Sequence, residues 1–258
     1  MVMISMNNIN QYNDRMHKSL QEKLFFLDYV KDTSTYVDYG CADGAMLAAM
    51  KELNPNKVYL GFDNSKEQLE IEKSLHPLIP AFSEWDAIQS YIARKDATLI
   101  LSSVIHEVYS YSKDYKEIEE FWKRVFRSNF KYIAIRDMAI SERNAYEIID
   151  LPDVEKIRGH VQYVEMLKEF EEKWGKIDRG KAYLHWLLKF PYRDNWLREN
   201  SENYLPYFAE SLIKRVPYDY RIIYKEHSQL PYMRWKVKET FGIDMKFPSH
   251  IKLLIERK

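Results

Sequence analysis

The amino-acid sequence predicts an α/β fold built on a doubly wound, mostly parallel sheet. From about residue 35 to residue 135, apolar segments typical of buried strands alternate with amphipathic segments typical of helices. The first strand ends in a turn that contains Gly40 and Gly44, two of only seven glycines in the chain. Because parallel strands are joined by right-handed crossovers, we expect helices on both faces of the sheet.

Composition bounds the class of protein. The 258 residues suffice for one large domain with a buried core, and the formal net charge of +0 provides no overall electrostatic attraction to nucleic acid. Cys41 is the only cysteine, which excludes an internal disulfide and a metal cluster made from cysteines alone. No apolar run approaches the length of a membrane span and no secretory signal is visible, so we expect a cytoplasmic protein with no membrane partner.

We predict a single domain over residues 1–258. Its consecutive regions are an N-terminal helical segment (1–33), a core (34–141), a helical insertion (142–217) and a pair of terminal strands (218–258). In the N-terminal segment, an amphipathic helix is predicted over 14–30. The apolar side chains that recur there at helical spacing are Met16, Leu20, Leu24, Leu27 and Val30.

The strands and helices of the core follow in order along the chain. The first strand is 35–39, and the helix after the glycine turn covers about 44–53. Asn54, Pro55 and Asn56 then interrupt the pattern before the next strand. The remaining core elements are strands at 57–62, 97–101 and 131–135, a short strand bracketed by Pro77 and Pro80, and helices from Ser65 to about 75, at 82–94 and at 112–128.

The pattern changes after Asp137. Residues 153–216 are mostly helical, and strand patterns return at 219–224 and 250–255. Because these two strands depart from the strand–helix alternation of the core, we expect them to complete the sheet as an antiparallel pair.

Three predicted strand ends carry residues suited to a ligand. In an open parallel sheet, ligands bind beyond the carboxyl ends of the strands. Those ends are here the glycine turn, Asp63 and the segment 102–107. Asp63 can accept both hydroxyls of a ribose, and Ala42 stands where a dinucleotide-binding turn requires glycine, which leaves less room for a pyrophosphate. The spacing therefore favours an adenosine-type ligand without a pyrophosphate.

The motifs VDYGCADG, LGFDNS, LILSSVIHEV and YIAIRDM resemble those of the class I S-adenosylmethionine-dependent methyltransferases over about residues 35–140. This resemblance implies a Rossmann-like, seven-stranded sheet with a reversed final strand, and S-adenosyl-L-methionine as the cofactor of the core. We expect the N-terminal helix to lie over the cofactor or substrate cleft. The implied cofactor-binding residues are Asp38, Gly40, Cys41, Ala42, Gly44, Asp63, Asn64, Trp85, Ser102 and Ser103.

The resemblance also assigns parts of the cofactor to these residues. The glycine turn would face the methionine end, with Asp38 near the amino group, Asp63 on the ribose hydroxyls, Asn64 and Trp85 beside the adenine, and Ser102 and Ser103 under the sulfonium. The side chain of Cys41, between the two glycines, is predicted to be a small buried filler.

His106 and Glu107 are the candidate catalytic residues, because they follow the fourth strand, where an acceptor would approach. The residues alone leave alternatives open, since His106 could equally make a core hydrogen bond and Glu107 could cap a helix or face solvent. Arg136 and Asp137 are predicted to form an ion pair at the sheet edge rather than to contact a substrate. No metal site is predicted, because the other histidines lack ligand-like spacing.

The acceptor of the methyl group is the main open point. An O or N nucleophile of a small or medium-sized molecule is the preferred hypothesis, because the net charge is +0 and the insertion is expected to enclose the site. Segment 181–208 interleaves aromatic and basic side chains, which can stack bases and contact phosphates, so an RNA or other nucleic-acid methyltransferase is the alternative. A non-catalytic S-adenosylmethionine-binding module is a further hypothesis, and the oligomeric state is not indicated.

Overall fold

The computed structural model describes residues 20–92 and 96–258, and a mixed sheet of seven strands forms its centre. The strands are β1 (Thr35–Tyr39), β2 (Val58–Phe62), β3 (Ala81–Phe82), β4 (Ala97–Ser102), β5 (Tyr132–Met138), β6 (Tyr220–Ser228) and β7 (His250–Arg257). Their spatial order is β3-β2-β1-β4-β5-β7-β6. Strands β1 to β5 are parallel to one another, whereas β7 runs antiparallel to β5 and β6. The predicted fold class with a reversed final strand is therefore confirmed.

Helices connect most of the strands. In the first half of the chain they are α1 (Leu20–Lys23), α2 (Ala45–Leu53), α3 (Lys66–Leu75), α4 (Trp85–Ile92), α5 (Ile105–Tyr111) and α6 (Tyr115–Arg127). The predicted insertion between β5 and β6 contains α7 (Glu142–Ala145), α8 (Leu151–Arg158), α9 (Val164–Trp174), α10 (Gly180–Lys189), α11 (Trp196–Ser201) and α12 (Ala209–Lys214). Helix α13 (Pro231–Phe241) joins β6 to β7. Across the described ranges, no helix is both long and apolar enough to cross a membrane.

The helix predicted at 112–128 is preceded by a second one, α5, that the sequence pattern did not indicate. Ser112 adopts an extended conformation with ψ 137°, which ends α5. The Asp114 carboxylate then accepts backbone N–H bonds from Lys116 and Glu117 at 2.9 and 3.1 Å. This N-cap begins α6 and explains the break, because the cap requires a non-helical residue between the two helices.

The N-terminal segment differs from the predicted helix over 14–30. Residues 14–19 lie outside the described residues, and the remainder contains only the short helix α1 followed by hydrogen-bonded turns. In these turns the Leu27 N–H donates to the Leu24 carbonyl oxygen at 3.0 Å. The apolar pattern is satisfied by burial of Phe26 and Val30 against the sheet rather than by one continuous helix.

Alternate residues of the strands face different cores. On β4, Leu99 and Leu101 pack into the core shared with α4 and α6, whereas Ile100 packs into the core shared with α2 and the N-terminal segment. The insertion has a core of its own, centred on fully buried rings such as those of Trp186 and Phe190. This architecture leaves the carboxyl ends of β1, β2, β4 and β5 together at one edge of the sheet.

Candidate active site

The turn after β1 has the backbone geometry that its glycines indicated. Gly40, Ala42 and Gly44 have φ values of +80°, +47° and +76°. The Gly40 and Cys41 N–H groups donate to the Phe62 carbonyl oxygen at 2.7 and 3.0 Å, which ties the turn to the end of β2. Together these contacts hold a strained loop with little side-chain cover at the sheet edge.

Gly40 also provides clearance for the neighbouring strand end. A Cβ atom at Gly40 would lie 2.8 Å from Cγ2 of Val104, which follows β4. The turn and the end of β4 therefore approach each other closely, and only glycine fits both the positive φ and the space.

Asp63 connects the end of β2 to the same turn. Its Oδ2 accepts the Ala42 N–H at 2.9 Å and its Oδ1 accepts the Ser65 N–H at 2.8 Å. Burial raises the pKa of Asp63, and the backbone hydrogen bonds act in the opposite direction. Each carboxylate oxygen keeps a further lone pair for a hydroxyl donor, as required for the predicted ribose contact.

A polar cavity of about 30 Å³ lies between the glycine turn, β4 and the N-terminal segment. It is lined by Leu20, Lys23, Asp38, Gly40, Cys41, Ala42, Asp43, Ala45, Met46 and Ser102. Burial raises the pKa of Asp38 to about 7, while the charge of Lys23 partly opposes this rise. Burial and the nearby Arg136 lower the pKa of Lys23 to about 8. The cavity thus has two acidic residues, Asp38 and Asp43, and one basic residue, Lys23, in its wall, all of them buried.

The hydroxyl of Ser102 adds an unsatisfied group to this cavity. Ser102 is buried, and its Oγ has no hydrogen-bond partner among the described residues. A buried hydroxyl without a partner is costly unless a ligand or water completes its hydrogen bonds.

The other predicted cofactor-binding residues have mixed positions. Cys41 is buried, and burial raises the pKa of its thiol. A Cβ atom at Gly61 would lie 2.6 Å from the Cys41 sulfur, so this side chain does fill space against β2. Asn64 is exposed beside Asp63, where it is accessible to a ligand.

The predicted contact of Trp85 with the adenine stays a prediction. The Trp85 ring is buried in the core below the sheet edge, with its centroid 5.2 Å from that of Tyr39 and 5.4 Å from that of Phe62. Its indole N–H donates to the Ser128 hydroxyl at 3.4 Å. Trp85 is the first residue of α4, and its side chain packs inward. The neighbouring sequence does not indicate whether this side chain points inward or outward.

Ser103 and Arg136 meet at the ends of β4 and β5. Ser103 has a φ of +58°, and its N–H donates to the Arg136 carbonyl oxygen at 2.7 Å. The Arg136 Nη1 donates to the Ser103 hydroxyl at 2.8 Å. The predicted Arg136–Asp137 ion pair is wrong, because these successive residues of β5 point to opposite faces of the sheet.

His106 is held by Asp137 at the start of α5. The His106 Nδ1 donates to Oδ1 of Asp137 at 2.7 Å, and Oδ2 accepts the backbone N–H groups of Ile105 and His106 at 2.7 and 3.1 Å. Burial alone would lower the pKa of His106, but the Asp137 carboxylate outweighs it and raises this pKa to about 9. His106 is therefore protonated at neutral pH in this arrangement.

The insertion contributes a set of charged side chains to the same place. Glu202 is buried, with its Oε2 3.9 Å from the His106 Nε2, and its Oε1 accepts hydrogen bonds from Tyr111 at 2.7 Å and Arg198 at 2.9 Å. Arg198 also contacts the Glu107 carboxylate at 3.2 Å. Burial raises the pKa of Glu107 to about 7. Sequence reasoning missed Glu202 and Arg198, since they lie in the insertion without any motif.

His106, Glu107 and Glu202 have possible ligand atoms within 4.8 Å of one another, a spacing that a metal ion can use. The Arg198 guanidinium already bonds both carboxylates, so their negative charge is partly balanced by the protein. The predicted absence of a metal stays a prediction.

The aromatic side chains of segment 181–208 are mostly buried in the insertion. The rings of Tyr183, Trp186 and Phe190 have no exposed surface, and Tyr204 and Tyr207 are also buried. Tyr204 packs its ring edge-on against His106 at a centroid distance of 5.3 Å. These rings are thus packed inside the protein, and they are not presented to solvent as a stacking surface.

The fold matches that of solved methyltransferase structures at low sequence identity. No family model matches the sequence, and no curated protein matches it. The plantazolicin methyltransferase BpumL in complex with a triazolic desmethylPZN analog and SAH aligns with a TM-score of 0.54 at 11% identity, over 98% of this chain and 89% of that chain. The plantazolicin methyltransferase BamL, in complex with a triazolic desmethylPZN analog and SAH, aligns with a TM-score of 0.52 at 10% identity, over 97% and 90% of the two chains.

A SAM-dependent methyltransferase from Archaeoglobus fulgidus aligns with a TM-score of 0.52 at 11% identity, over 98% of this chain and 100% of that chain. At such identities the likeness concerns the fold. The strand order with a reversed β7, the glycine turn after β1 and these alignments agree with one another. The chain has the fold of the class I S-adenosylmethionine-dependent methyltransferases.

Proposed function

We propose that the protein is an S-adenosylmethionine-dependent methyltransferase that acts on an O or N nucleophile of a small or medium-sized molecule. The observation that carries this proposal is the polar cavity beside the glycine turn. Its unpartnered Ser102 hydroxyl lies between the turn and β4, where the methionine end of the cofactor binds if the resemblance holds.

The residues of the cavity fit the charges of that group. The methionine end carries an ammonium group, which the buried Asp38 carboxylate would accept, and the Ser102 hydroxyl would complete a further hydrogen bond. A cavity of about 30 Å³ holds little more than one water molecule. Binding therefore requires Leu20 and Lys23 to move outward, which is consistent with the expected N-terminal cover of the cleft.

At the other end of the turn, Asp63 would bind the ribose hydroxyls while it keeps its bonds to the Ala42 and Ser65 N–H groups. Asn64 would lie beside the adenine. When bound, S-adenosylmethionine supplies a methyl group already activated on a sulfonium. The protein then needs mainly to hold a nucleophile in line and to accept its proton.

His106 and Glu107 take different roles in this proposal. Asp137 keeps His106 protonated at neutral pH, so His106 acts as a hydrogen-bond donor and orienting group. Glu107 lies in the same cluster with 29% of its side chain exposed, and its pKa of about 7 suits proton acceptance near neutral pH. We therefore assign the base to Glu107 rather than to His106.

We infer that the insertion forms a roof over the reaction site, which favours a small or medium-sized acceptor over RNA. The net charge of +0 and the complete burial of the Tyr183, Trp186 and Phe190 rings reduce the surface that segment 181–208 could offer to bases. RNA binding that falls steeply with salt would contradict this choice of acceptor. The cytoplasmic location stays a prediction.

Calorimetry with S-adenosylmethionine tests the proposal. We expect the wild-type protein to bind, and Asp63→Ala to weaken binding by about 10- to 100-fold, because one charged hydrogen-bonding group is lost. Asp96→Ala is the matched control, since Asp96 is exposed and precedes β4 at the opposite edge of the sheet. Absence of binding by a wild-type protein that melts cooperatively would contradict the proposal.

A further inference from the structure

Arg136 is a buried cation that lacks a carboxylate partner. Its side chain is at the end of β5 and the residue is 3% exposed. Its Nη1 donates to the Ser103 hydroxyl, but its Nε has no hydrogen-bond partner, and no carboxylate pairs with it among residues 20–92 and 96–258. The charges of Asp137 and Glu22 act on the guanidinium from a longer distance. A buried N–H donor such as Nε is nevertheless costly without a hydrogen-bond partner, so this edge of the side chain needs one.

Lys252 provides an internal comparison. It lies directly opposite Arg136 in the antiparallel pair of β5 and β7, and it is 5% exposed. Its ammonium contacts Glu22 at 2.6 Å and Glu226 at 3.4 Å. Of these two neighbouring buried cations on one face of the sheet, Lys252 contacts two carboxylates directly, whereas the Arg136 side chain is hydrogen-bonded to the Ser103 hydroxyl.

The position of Arg136 connects it to the proposed reaction site. It pairs in register with Ser102 of β4, and Ser103 bonds its guanidinium. It also lies near enough to Lys23 to lower the pKa of that residue. Arg136 thus lies beside Ser102, which lines the polar cavity. Under the proposed function, an acceptor would approach the sulfonium on this side.

The guanidinium is oriented for an anion with two oxygens. Ser103 takes Nη1, which leaves the Nε–Nη2 edge, the edge that binds a carboxylate through two parallel hydrogen bonds. This charged edge suits a carboxylate better than a neutral amide or hydroxyl.

We propose that Arg136, together with the Ser103 hydroxyl, forms a carboxylate-binding subsite beside the end of β4. This inference rests on the proposed function for the source of the carboxylate, which is either the acceptor or the methionine end of the cofactor. In the first case, the acceptor is a small carboxylic acid. In the second case, Arg136 determines recognition of the cofactor.

Two binding measurements separate these sources. The first compares S-adenosylhomocysteine with its decarboxylated analogue by calorimetry in the wild-type protein and in Arg136→Met. If the cofactor supplies the carboxylate, the wild type prefers S-adenosylhomocysteine by about tenfold or more, and Arg136→Met loses this preference.

The second measurement follows the melting temperature with acetate and with benzoate at constant ionic strength, with and without S-adenosylhomocysteine. If the acceptor supplies the carboxylate, these probes stabilise the wild type but not Arg136→Met. If acetate or benzoate raises the melting temperature of the wild type but S-adenosylhomocysteine does not bind, the subsite is supported and the proposed function is contradicted.

Lys252→Met is the matched control, because it removes a buried cation from the neighbouring strand whose partners are already in the protein. We expect its ligand responses to equal those of the wild type. Arg136→Lys keeps the charge but not the two-donor edge, so it should show a several-fold loss, and it carries the test if Arg136→Met does not fold. Wild-type responses in a folded Arg136 variant, or no response of the wild type in either measurement, would overturn the inference.

Discussion

At the scale of single residues, the contact between His106 and Asp137 determines the protonation of the site. The Asp137 carboxylate is fully buried and accepts backbone N–H bonds from Ile105 and His106. These bonds hold the carboxylate in place independently of its contact with the imidazole. The imidazolium is thereby stabilised in a buried place where a neutral ring would otherwise be preferred. This is the reason for assigning proton acceptance to Glu107.

The His106 pair should make stability depend on pH. Its pKa is raised from 6.5 to about 9, so its contribution to stability is complete below about pH 6.5 and is lost as the pH rises through 9. We expect the difference in free energy of unfolding between wild type and His106→Asn to shrink by up to about 3 kcal/mol over this range. Urea denaturation at several pH values measures this difference.

An NMR titration of the His106 ring provides the control for that prediction. In Asp137→Asn the ring should titrate well below its wild-type midpoint, because the main group that raises its pKa has lost its charge. A ring that titrates at its usual value in the wild-type protein would contradict the prediction.

At the scale of secondary-structure elements, the turn between β1 and α2 requires glycine at position 40 for two reasons. Gly40 has a positive φ and also lies against Val104 at the end of β4. Gly242, which ends α13, has a φ of +67°, but a Cβ atom added there would meet no other atom within 4 Å. A side chain at Gly242 would therefore be penalised only by the left-handed backbone conformation. A side chain at Gly40 would be penalised both by this conformation and by the contact with Val104.

Alanine substitutions test this difference. Gly242→Ala should lower the free energy of unfolding by about 1 kcal/mol, because only the left-handed conformation is penalised. Gly40→Ala should cost more, since its Cβ would also meet Val104 at 2.8 Å, and it should weaken S-adenosylmethionine binding. Urea denaturation and calorimetry on both variants measure these effects. Equal stability and equal binding of the two variants would show that the turn tolerates a side chain.

At the scale of the whole molecule, the insertion has a core of its own. It meets the sheet region both through charged contacts and through Tyr207, Ala209 and Leu212, which pack into a core that includes residues of the sheet. Glu202 contacts His106 and Tyr111, while Arg198 contacts Glu107. Buried charged contacts of this kind define one relative position of two units more sharply than apolar packing does, because a shift would leave charges unpaired. The roof over the proposed reaction site is thus held by the same residues that set its electrostatics.

Glu202→Gln tests the importance of this connection. Removal of one buried charge leaves Arg198 and His106 without this carboxylate, so we expect a loss of about 3 kcal/mol in the free energy of unfolding. Amide hydrogen exchange over 196–208 should also become faster. Glu169→Gln is the control, since the exposed Glu169 accepts the Trp196 indole N–H at 2.6 Å within the insertion. Similar exchange rates in both variants would mean that the roof is held by apolar packing alone.

The candidate site was partly predictable from local sequence. The glycine turn, Asp63, Ser102 and His106 follow strand ends, and parallel strands bring their carboxyl ends to one edge. The opposite directions of Arg136 and Asp137 were not predicted correctly, and the inward packing of the Trp85 ring was not visible in the sequence. Both depend on which face of an element packs inward. In a wholly buried strand such as β5, polar and apolar residues do not alternate, so the sequence does not indicate the direction of each side chain.

The sequence by itself determined the order of the strands along the chain, the glycine turn after β1 and the class of fold, because these depend on local backbone preferences and on the period of apolar residues. Only the tertiary structure decided which charges meet. Tyr111 bonds Glu202 and Glu107 bonds Arg198 across 91 residues in each case. Such pairs arise when the insertion packs against the sheet region, and no local pattern in either segment specifies its distant partner.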